Sequence, residues 1–159
     1  KEILENHYLK IEVKHHGAEL CSLVKKASEV EYIWEGDPKF WGRHAPVLFP
    51  IVGRLKEDSY LVGTNSYSMK QHGLARNMDF KLVRKTKTAL IFELNHSETT
   101  LKQYSFPFRL HIIYSLEENK LITTYQVLNP TEEDMYFSIG AHPLFDVLLK
   151  KGKNGRTIN

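Results

Sequence analysis

The chain has 159 residues, of which 42% are hydrophobic and 26% charged, and this suits one globular domain with a buried core. Its net charge of +3 does not indicate a nucleic-acid partner, because residues 150–159 carry four cations and no acids, and elsewhere 18 cations face 19 acids. No apolar run approaches the roughly 20 residues of a bilayer-spanning helix, and the single cysteine, Cys21, excludes an intrachain disulfide.

The ends of the chain suggest its organisation and location. The first five residues lack the positive-then-apolar layout of a signal peptide, so we expect a cytoplasmic protein that does not contact a membrane. Composition changes sharply at Lys150. We therefore expect a folded domain over residues 1–149 and a basic, disordered tail over residues 150–159.

Alternation of apolar and polar residues with a period of two dominates the chain and predicts β-strands. Helical periodicity is scarce, and only residues 97–104 suggest a short helix, with Ser97 or Thr99 as its cap. The pattern predicts an all-β fold, an antiparallel β-sandwich. The predicted strands, in chain order, cover residues 9–13, 78–82, 108–116, 121–127 and 135–139, with residues 117–120 as a four-residue hairpin turn.

Residues 31–54 interrupt the alternation and contain both tryptophans and three prolines. An aromatic face suits the apolar face of a sugar ring, and an arginine can bridge several hydroxyl oxygens. Trp41, His44 and Arg54 are therefore candidate contacts for a sugar. Composition alone also allows a plainer interpretation, in which Trp34 and Trp41 only close the core.

Two short histidine segments carry the strongest functional signal. Residues 71–76 are Gln-His-Gly-Leu-Ala-Arg, and residues 140–145 are Gly-Ala-His-Pro-Leu-Phe. Imidazole donates or accepts a proton near neutral pH, so His72 and His142 could bind a small polar molecule and move a proton on it. Without its neighbours, His72 would more often be a structural residue.

Together these segments resemble the aldose 1-epimerase (galactose mutarotase) family, in the bacterial branch with a His-Gly-Leu/Phe-Ala-Arg signature. The resemblance also includes residues 17–20, 46–50 and 53–54, and it covers nearly the whole chain. It implies a large antiparallel β-sandwich with a sugar-binding groove. The implied reaction interconverts the α and β anomers of a hexose by opening and closing its ring, without a cofactor or metal.

The resemblance also implies roles for individual residues. His142 would be the general acid that protonates the ring oxygen, and His72 would hydrogen-bond the sugar near that oxygen. Arg54 and Arg76 would hold its hydroxyls. Independently of the resemblance, Arg43, Arg54 and Arg76 could tolerate a phosphate, so a phosphorylated hexose remains an alternative substrate.

The chain departs from the family in one respect. Family members are close to twice as long and use as base a glutamate from the later part of the chain, whereas no glutamate follows His142 here. We therefore expect the N-terminal half of a sandwich, which self-associates through an exposed sheet edge. A non-catalytic carbohydrate-binding module is the alternative function. Metal-binding and Ser-nucleophile patterns are absent from the sequence.

Overall fold

The computed structural model describes residues 1–146, and its first sheet comes from the N-terminal part of the chain. Four antiparallel strands lie in the order β1-β2-β3-β4. They span Glu2–Glu5, Leu9–Val13, Leu20–Lys25 and Val30–Glu31. The predicted alternation is confirmed in β2, where Leu9, Ile11 and Val13 are buried and the two residues between them are half-buried.

The second sheet is also antiparallel and contains the longest strands. Its order is β11-β10-β9-β8, so each strand pairs with its neighbour in sequence. The strands span Lys81–Lys85 (β8), Ala89–Asn95 (β9), Arg109–Glu117 (β10) and Lys120–Leu128 (β11). Alternate residues of β9 and β10 are buried, which is the pattern of a sheet that packs on one face.

The core lies between these two sheets, because the buried residues of both belong to one hydrophobic cluster. Ile11 and Val13 come from the first sheet, whereas Phe92 and Ile112 come from the second, and each is fully buried. The hydroxyl of buried Tyr114 donates a hydrogen bond of 2.8 Å to the carbonyl oxygen of Ala18. The predicted antiparallel β-sandwich is therefore confirmed.

Smaller elements lie outside the two main sheets. Strands β5 (Val47–Leu48) and β12 (Gly140–Ala141) form one antiparallel pair, and β6 (Ser59–Val62) and β7 (Asn65–Ser68) form another. Single 3-10 turns span Lys56–Asp58 and Ala75–Asn77. The predicted short helix is confirmed as α1 (Glu98–Leu101), with Ser97 as its N-cap in a capping box.

Three local predictions were wrong. Residues 135–139 form no strand, because no strand within residues 1–146 pairs with their backbone, and the next strand is β12. The hairpin between β10 and β11 has a two-residue turn, since Glu117 pairs with Lys120. The strand predicted over residues 78–82 begins only at Lys81, after the 3-10 turn that ends at Asn77.

Residues 150–159, which we predicted to be a disordered tail, lie outside the described residues. In the described part of the chain, none of the helices has the length and apolar character needed to cross a membrane. Cys21 is a buried free thiol on β3, and burial raises its pKa, so it packs as a small apolar residue.

Candidate active site

One stretch of backbone, residues 46–53, anchors the segment that carries His142. Within it, β5 pairs with β12, so that Leu48 opposes Gly140 and Val47 opposes Ala141. The pairing continues past the strand, because the His142 N–H donates to the carbonyl oxygen of Pro46 at 3.1 Å. The backbone of His142 is therefore fixed by main-chain hydrogen bonds.

The same stretch anchors the His72 segment. The Leu74 and Ala75 N–H groups both donate to the carbonyl oxygen of Phe49, at 2.9 and 3.1 Å. Gly73 has φ +72°, and a Cβ there would lie 2.7 Å from the Pro50 nitrogen, so only glycine fits this close approach. His72 itself has φ +68°, a left-handed conformation that is uncommon outside glycine and often occurs at functional sites.

Hydrogen bonds to Gly53 fix the tautomer of His72. The His72 N–H donates to the Gly53 carbonyl oxygen at 2.8 Å, and the Gly53 N–H donates to His72 Nδ1 at 3.0 Å. Because Nδ1 accepts this hydrogen bond, the neutral imidazole carries its proton on Nε2. Burial, with the nearby charges of Arg76 and His142, lowers the pKa of His72. At neutral pH His72 is therefore a neutral donor through Nε2.

His142 packs against a tryptophan. The ring centroids of Trp41 and His142 are 5.2 Å apart, with an interplanar angle of 60°. Trp41 is itself held in place, because Trp34 Nε1–H donates to its carbonyl oxygen at 2.9 Å. His142 remains exposed to solvent on this support, so its imidazole is accessible to a ligand.

Two arginines lie at the C-terminal end of the His72 segment. Arg76 donates to the carbonyl oxygen of Gln71 at 2.9 Å, and its buried Nε finds no acceptor among residues 1–146. Arg43 donates to the carbonyl oxygen of Arg76 at 3.1 Å and to Asn77 Oδ1 at 2.6 Å. Burial and the charge of Arg43 lower the pKa of Arg76. Arg76 thus retains an unused donor, as a residue that binds an oxygen-rich ligand would.

The structure gives Arg54 and His44 different surroundings. Arg54 is exposed and donates twice to the Asp58 carboxylate, at 2.7 Å from both Nε and Nη2. His44 is largely buried, and its Nδ1 lies 3.2 Å from Lys14 Nζ. Burial, followed by the charge of Lys14, lowers the pKa of His44. Within residues 1–146, neither side chain forms a hydrogen bond, ion pair or aromatic pair with His72 or His142.

Glu19 supports the site without having been assigned a role from the sequence. Its side chain is buried, and its Oε1 accepts hydrogen bonds from the N–H groups of His44 at 2.6 Å and Ala45 at 3.1 Å. These bonds orient the loop between Trp41 and β5. The sequence carried two signals for Glu19: it is a single acid among apolar residues, and it lies in the family-like segment over residues 17–20.

Of the sequence-predicted site residues, the structure therefore brings together Trp41, His72, Arg76 and His142. No group of three or more metal-ligating side chains of the His, Cys, Asp and Glu types is present within residues 1–146. Over the same residues, no carboxylate forms a hydrogen bond or salt bridge with the side chains of His72 and His142. The cluster can donate hydrogen bonds and carry a proton, but it lacks a paired carboxylate base.

Comparisons with known proteins show the family and the fold of this chain. A sequence model of the family described as Aldose 1-epimerase matches residues 2–159. A galactose mutarotase related enzyme from Lactobacillus acidophilus is 41% identical, with a TM-score of 0.92 over 96% of this chain and 51% of its own. A galactose mutarotase-like protein from Lactobacillus casei is 42% identical, with a TM-score of 0.89 over 94% of this chain and 51% of its own.

A curated relative also matches this chain over about half of its own length. Protein LacX from Lactococcus lactis subsp. lactis is 33% identical over 94% of this chain and 52% of its own length. The chain therefore spans about half the length of the relatives that it matches.

Proposed function

The chain belongs to the aldose 1-epimerase family, and from that premise we propose that it binds a free aldohexose at the His72–His142 cluster and acts in the interconversion of its α and β anomers. One observation carries the proposal: residues 46–53 hold both histidine segments by main-chain hydrogen bonds, so two imidazoles and Arg76 lie at one place. A cytoplasmic location, expected from the sequence, is part of the proposal.

The two histidines have different tasks in this scheme. His142 is the general acid, because its exposed imidazole can give a proton to the ring oxygen of the sugar and later take it back. A base removes the proton from the anomeric hydroxyl in the same step. The C1–O5 bond breaks, the aldehyde rotates about the C1–C2 bond, and the ring closes on its other face.

His72 acts as a hydrogen-bond donor to the sugar. Its Nδ1 already accepts the Gly53 N–H, so only Nε2–H is available, and its lowered pKa keeps it neutral at pH 7. Arg76, which is half-buried, offers its guanidinium to a sugar hydroxyl, and Trp41 offers an aromatic face to the C–H face of the ring. These residues bind and orient the sugar, and His142 moves the proton.

The experiment has a binding arm and a rate arm. In the binding arm, galactose and glucose are titrated into the labelled chain while the imidazole resonances are followed by NMR. We expect the resonances of His72 and His142 to shift and that of His111 to stay unchanged. His111 lies on β10 in the second sheet, where its ring pairs with Glu93 and Gln126. An absence of shifts at His72 and His142 with saturating sugar would overturn the proposed site.

In the rate arm, anomer interconversion of fresh α-galactose is followed by proton NMR against buffer. Positioned proton transfer contributes about 10²–10⁴-fold to a rate, so His142→Ala should remove most of any acceleration. His16→Ala is the matched control, because His16 is exposed and its side chain bonds only Asp79 within residues 1–146. Equal losses in the two variants would exclude His142 as the acid.

The absence of a paired carboxylate among residues 1–146 favours a second candidate function, a non-catalytic carbohydrate-binding module. Such a module also binds sugar through arginines and aromatics but needs no acid–base pair. It would give the NMR shifts without any acceleration, and His142→Ala would then cost only modest affinity.

A further inference from the structure

The imidazole of His44, which the sequence suggested as a sugar contact, is engaged by the protein itself. Its side chain is only 12% exposed, and its Nδ1 lies 3.2 Å from Lys14 Nζ. The backbone carbonyl of Glu35 is a second hydrogen-bond partner of the ring. Gly36 packs directly against it, because a Cβ at Gly36 would lie 2.6 Å from His44 Cε1. The ring therefore has little surface left for a ligand.

The turn between β2 and β3 holds both the ring and the backbone of His44. The Lys14 N–H donates to the carbonyl oxygen of Glu19 at 2.9 Å, so the turn keeps these two residues together. Lys14 bonds the His44 ring through its ammonium group, and the buried Glu19 carboxylate accepts the N–H groups of His44 and Ala45. His44 is thus fixed on a rigid part of the first sheet.

The His142 segment lies between two backbone stretches that both adjoin His44. On one side, the carbonyl oxygen of His44 accepts the Leu144 N–H at 2.9 Å, and that of Pro46 accepts the His142 N–H at 3.1 Å. On the other side, the Trp34 N–H donates to the carbonyl oxygen of Leu144 at 3.0 Å. The residue after Trp34 supplies the carbonyl partner of the His44 ring. The ring therefore joins the two stretches that hold the segment.

We propose that His44 is a positioning residue for His142. Its imidazole, set between Lys14 and Gly36, keeps the two stretches at the separation at which both bond Leu144, and so holds the backbone of His142 in place. The inference rests on the proposed function, in which His142 is the general acid. His44 acts through the backbone and contacts no substrate.

This role makes the position of His142 depend on pH. Protonation of His44 would remove the acceptor at Nδ1 and place a second positive charge beside Lys14. Burial, followed by the charge of Lys14, lowers the pKa of His44, and the smaller effects of Glu19 and Lys1 oppose each other. Because the folded-state pKa lies below the ordinary value of about 6.5, the stabilisation is complete above about pH 6.5 and is lost as the pH falls through the folded-state pKa.

Amide hydrogen exchange and imidazole resonances, both followed by NMR without sugar, test the proposal. At about pH 7.5, His44→Ala should lower the protection of the Leu144 amide relative to that of the Ile112 amide by about tenfold. Ile112 is fully buried on β10, so its amide reports the stability of the whole fold. The imidazole resonances of His142 should also lose the ring-current shift that Trp41 causes.

His15→Ala is the matched control. His15 is also half-buried, but its ring bonds Phe80 and Glu2, which lie outside the two stretches. This variant should lower the two protections equally and leave the His142 resonances unchanged. Circular dichroism shows whether each variant keeps its β structure, and if His44→Ala does not fold, the pH series decides.

The pH series uses variants of His44 and of two lysines. In the wild type, the protection of Leu144 relative to Ile112 should fall about threefold between about pH 7.5 and about pH 5. His44→Asn keeps an acceptor oxygen for Lys14 but cannot be protonated, so it should remove most of this fall. Lys14→Met should reduce the fall, because it removes the repelling charge. Lys10→Met should not, because Lys10 lies on β2 and pairs with Glu12.

Equal losses of protection at Leu144 and Ile112 in folded His44→Ala would overturn the proposal, because the imidazole would then stabilise the whole fold and not this segment in particular. A fall with pH in His44→Asn that equals the wild-type fall would overturn it as well. Neither measurement uses sugar. Failure of the proposed function, seen as an absence of imidazole shifts with saturating sugar, is therefore a separate outcome.

Discussion

Replacement of Gly73 by alanine tests whether close approach of two chain segments builds the site. The new Cβ would lie 2.6 Å from the Phe49 carbonyl carbon and 2.7 Å from the Pro50 nitrogen, and both are backbone atoms. The left-handed conformation at φ +72° costs an alanine about 1–2 kcal/mol. Separation of the segments also weakens the hydrogen bonds from Leu74 and Ala75 to Phe49, each worth about 1 kcal/mol.

We therefore expect Gly73→Ala to lower the free energy of unfolding by about 3–4 kcal/mol, measured by urea denaturation followed by tryptophan fluorescence. Gly63→Ala is the control, because Gly63 also has a positive φ, +58°, but a Cβ there meets nothing within 4 Å. Gly63→Ala should lower the free energy of unfolding only by the conformational cost of about 1–2 kcal/mol. Equal losses in the two variants would refute the argument from close approach.

Two further predictions concern Glu19 and the buried histidines. Glu19→Ala should destabilise the fold by about 2–4 kcal/mol in urea, because it leaves two backbone N–H groups without their acceptor. Glu19→Gln keeps an acceptor oxygen there and should lose less stability than Glu19→Ala. The control Glu132→Ala, at an exposed residue, should lose almost no stability. Equal losses in all three variants would contradict this role of Glu19. Lowering the pH below about 6.5 should destabilise the protein, because the pKa values of His44 and His72 are lower in the folded state, so the unfolded chain takes up protons first. His44→Gln should flatten this dependence in urea unfolding between pH 7 and pH 5, and an unchanged slope would exclude His44 as a source.

The long strands were predictable because their information is local. Leu110, Ile112, Tyr114 and Leu116 alternate with polar residues, and burial of one face of a sheet requires that period. The segment over residues 135–139 shows the limit of this argument. It also alternates, but a strand needs a neighbour, and residues 1–146 provide none there.

The candidate site was predictable as a set of residues rather than as an arrangement. The motifs indicated His72, Arg76 and His142, but their relative positions depend on residues 46–53, which hold both segments by backbone hydrogen bonds. Nothing in the sequence distinguishes Arg54, which the structure pairs with Asp58, from Arg76, whose Nε has no acceptor in the described residues.

The sequence by itself determined the class of fold, the strand faces and the family, because alternation and short motifs depend on neighbouring residues. Only the tertiary structure decided which side chains meet. Glu19 caps the loop at residues 44 and 45, and residues 72 and 142 come together across 70 positions of sequence. Such contacts arise because buried backbone donors and acceptors must find partners, and the partners are chosen by the packing of the whole sandwich.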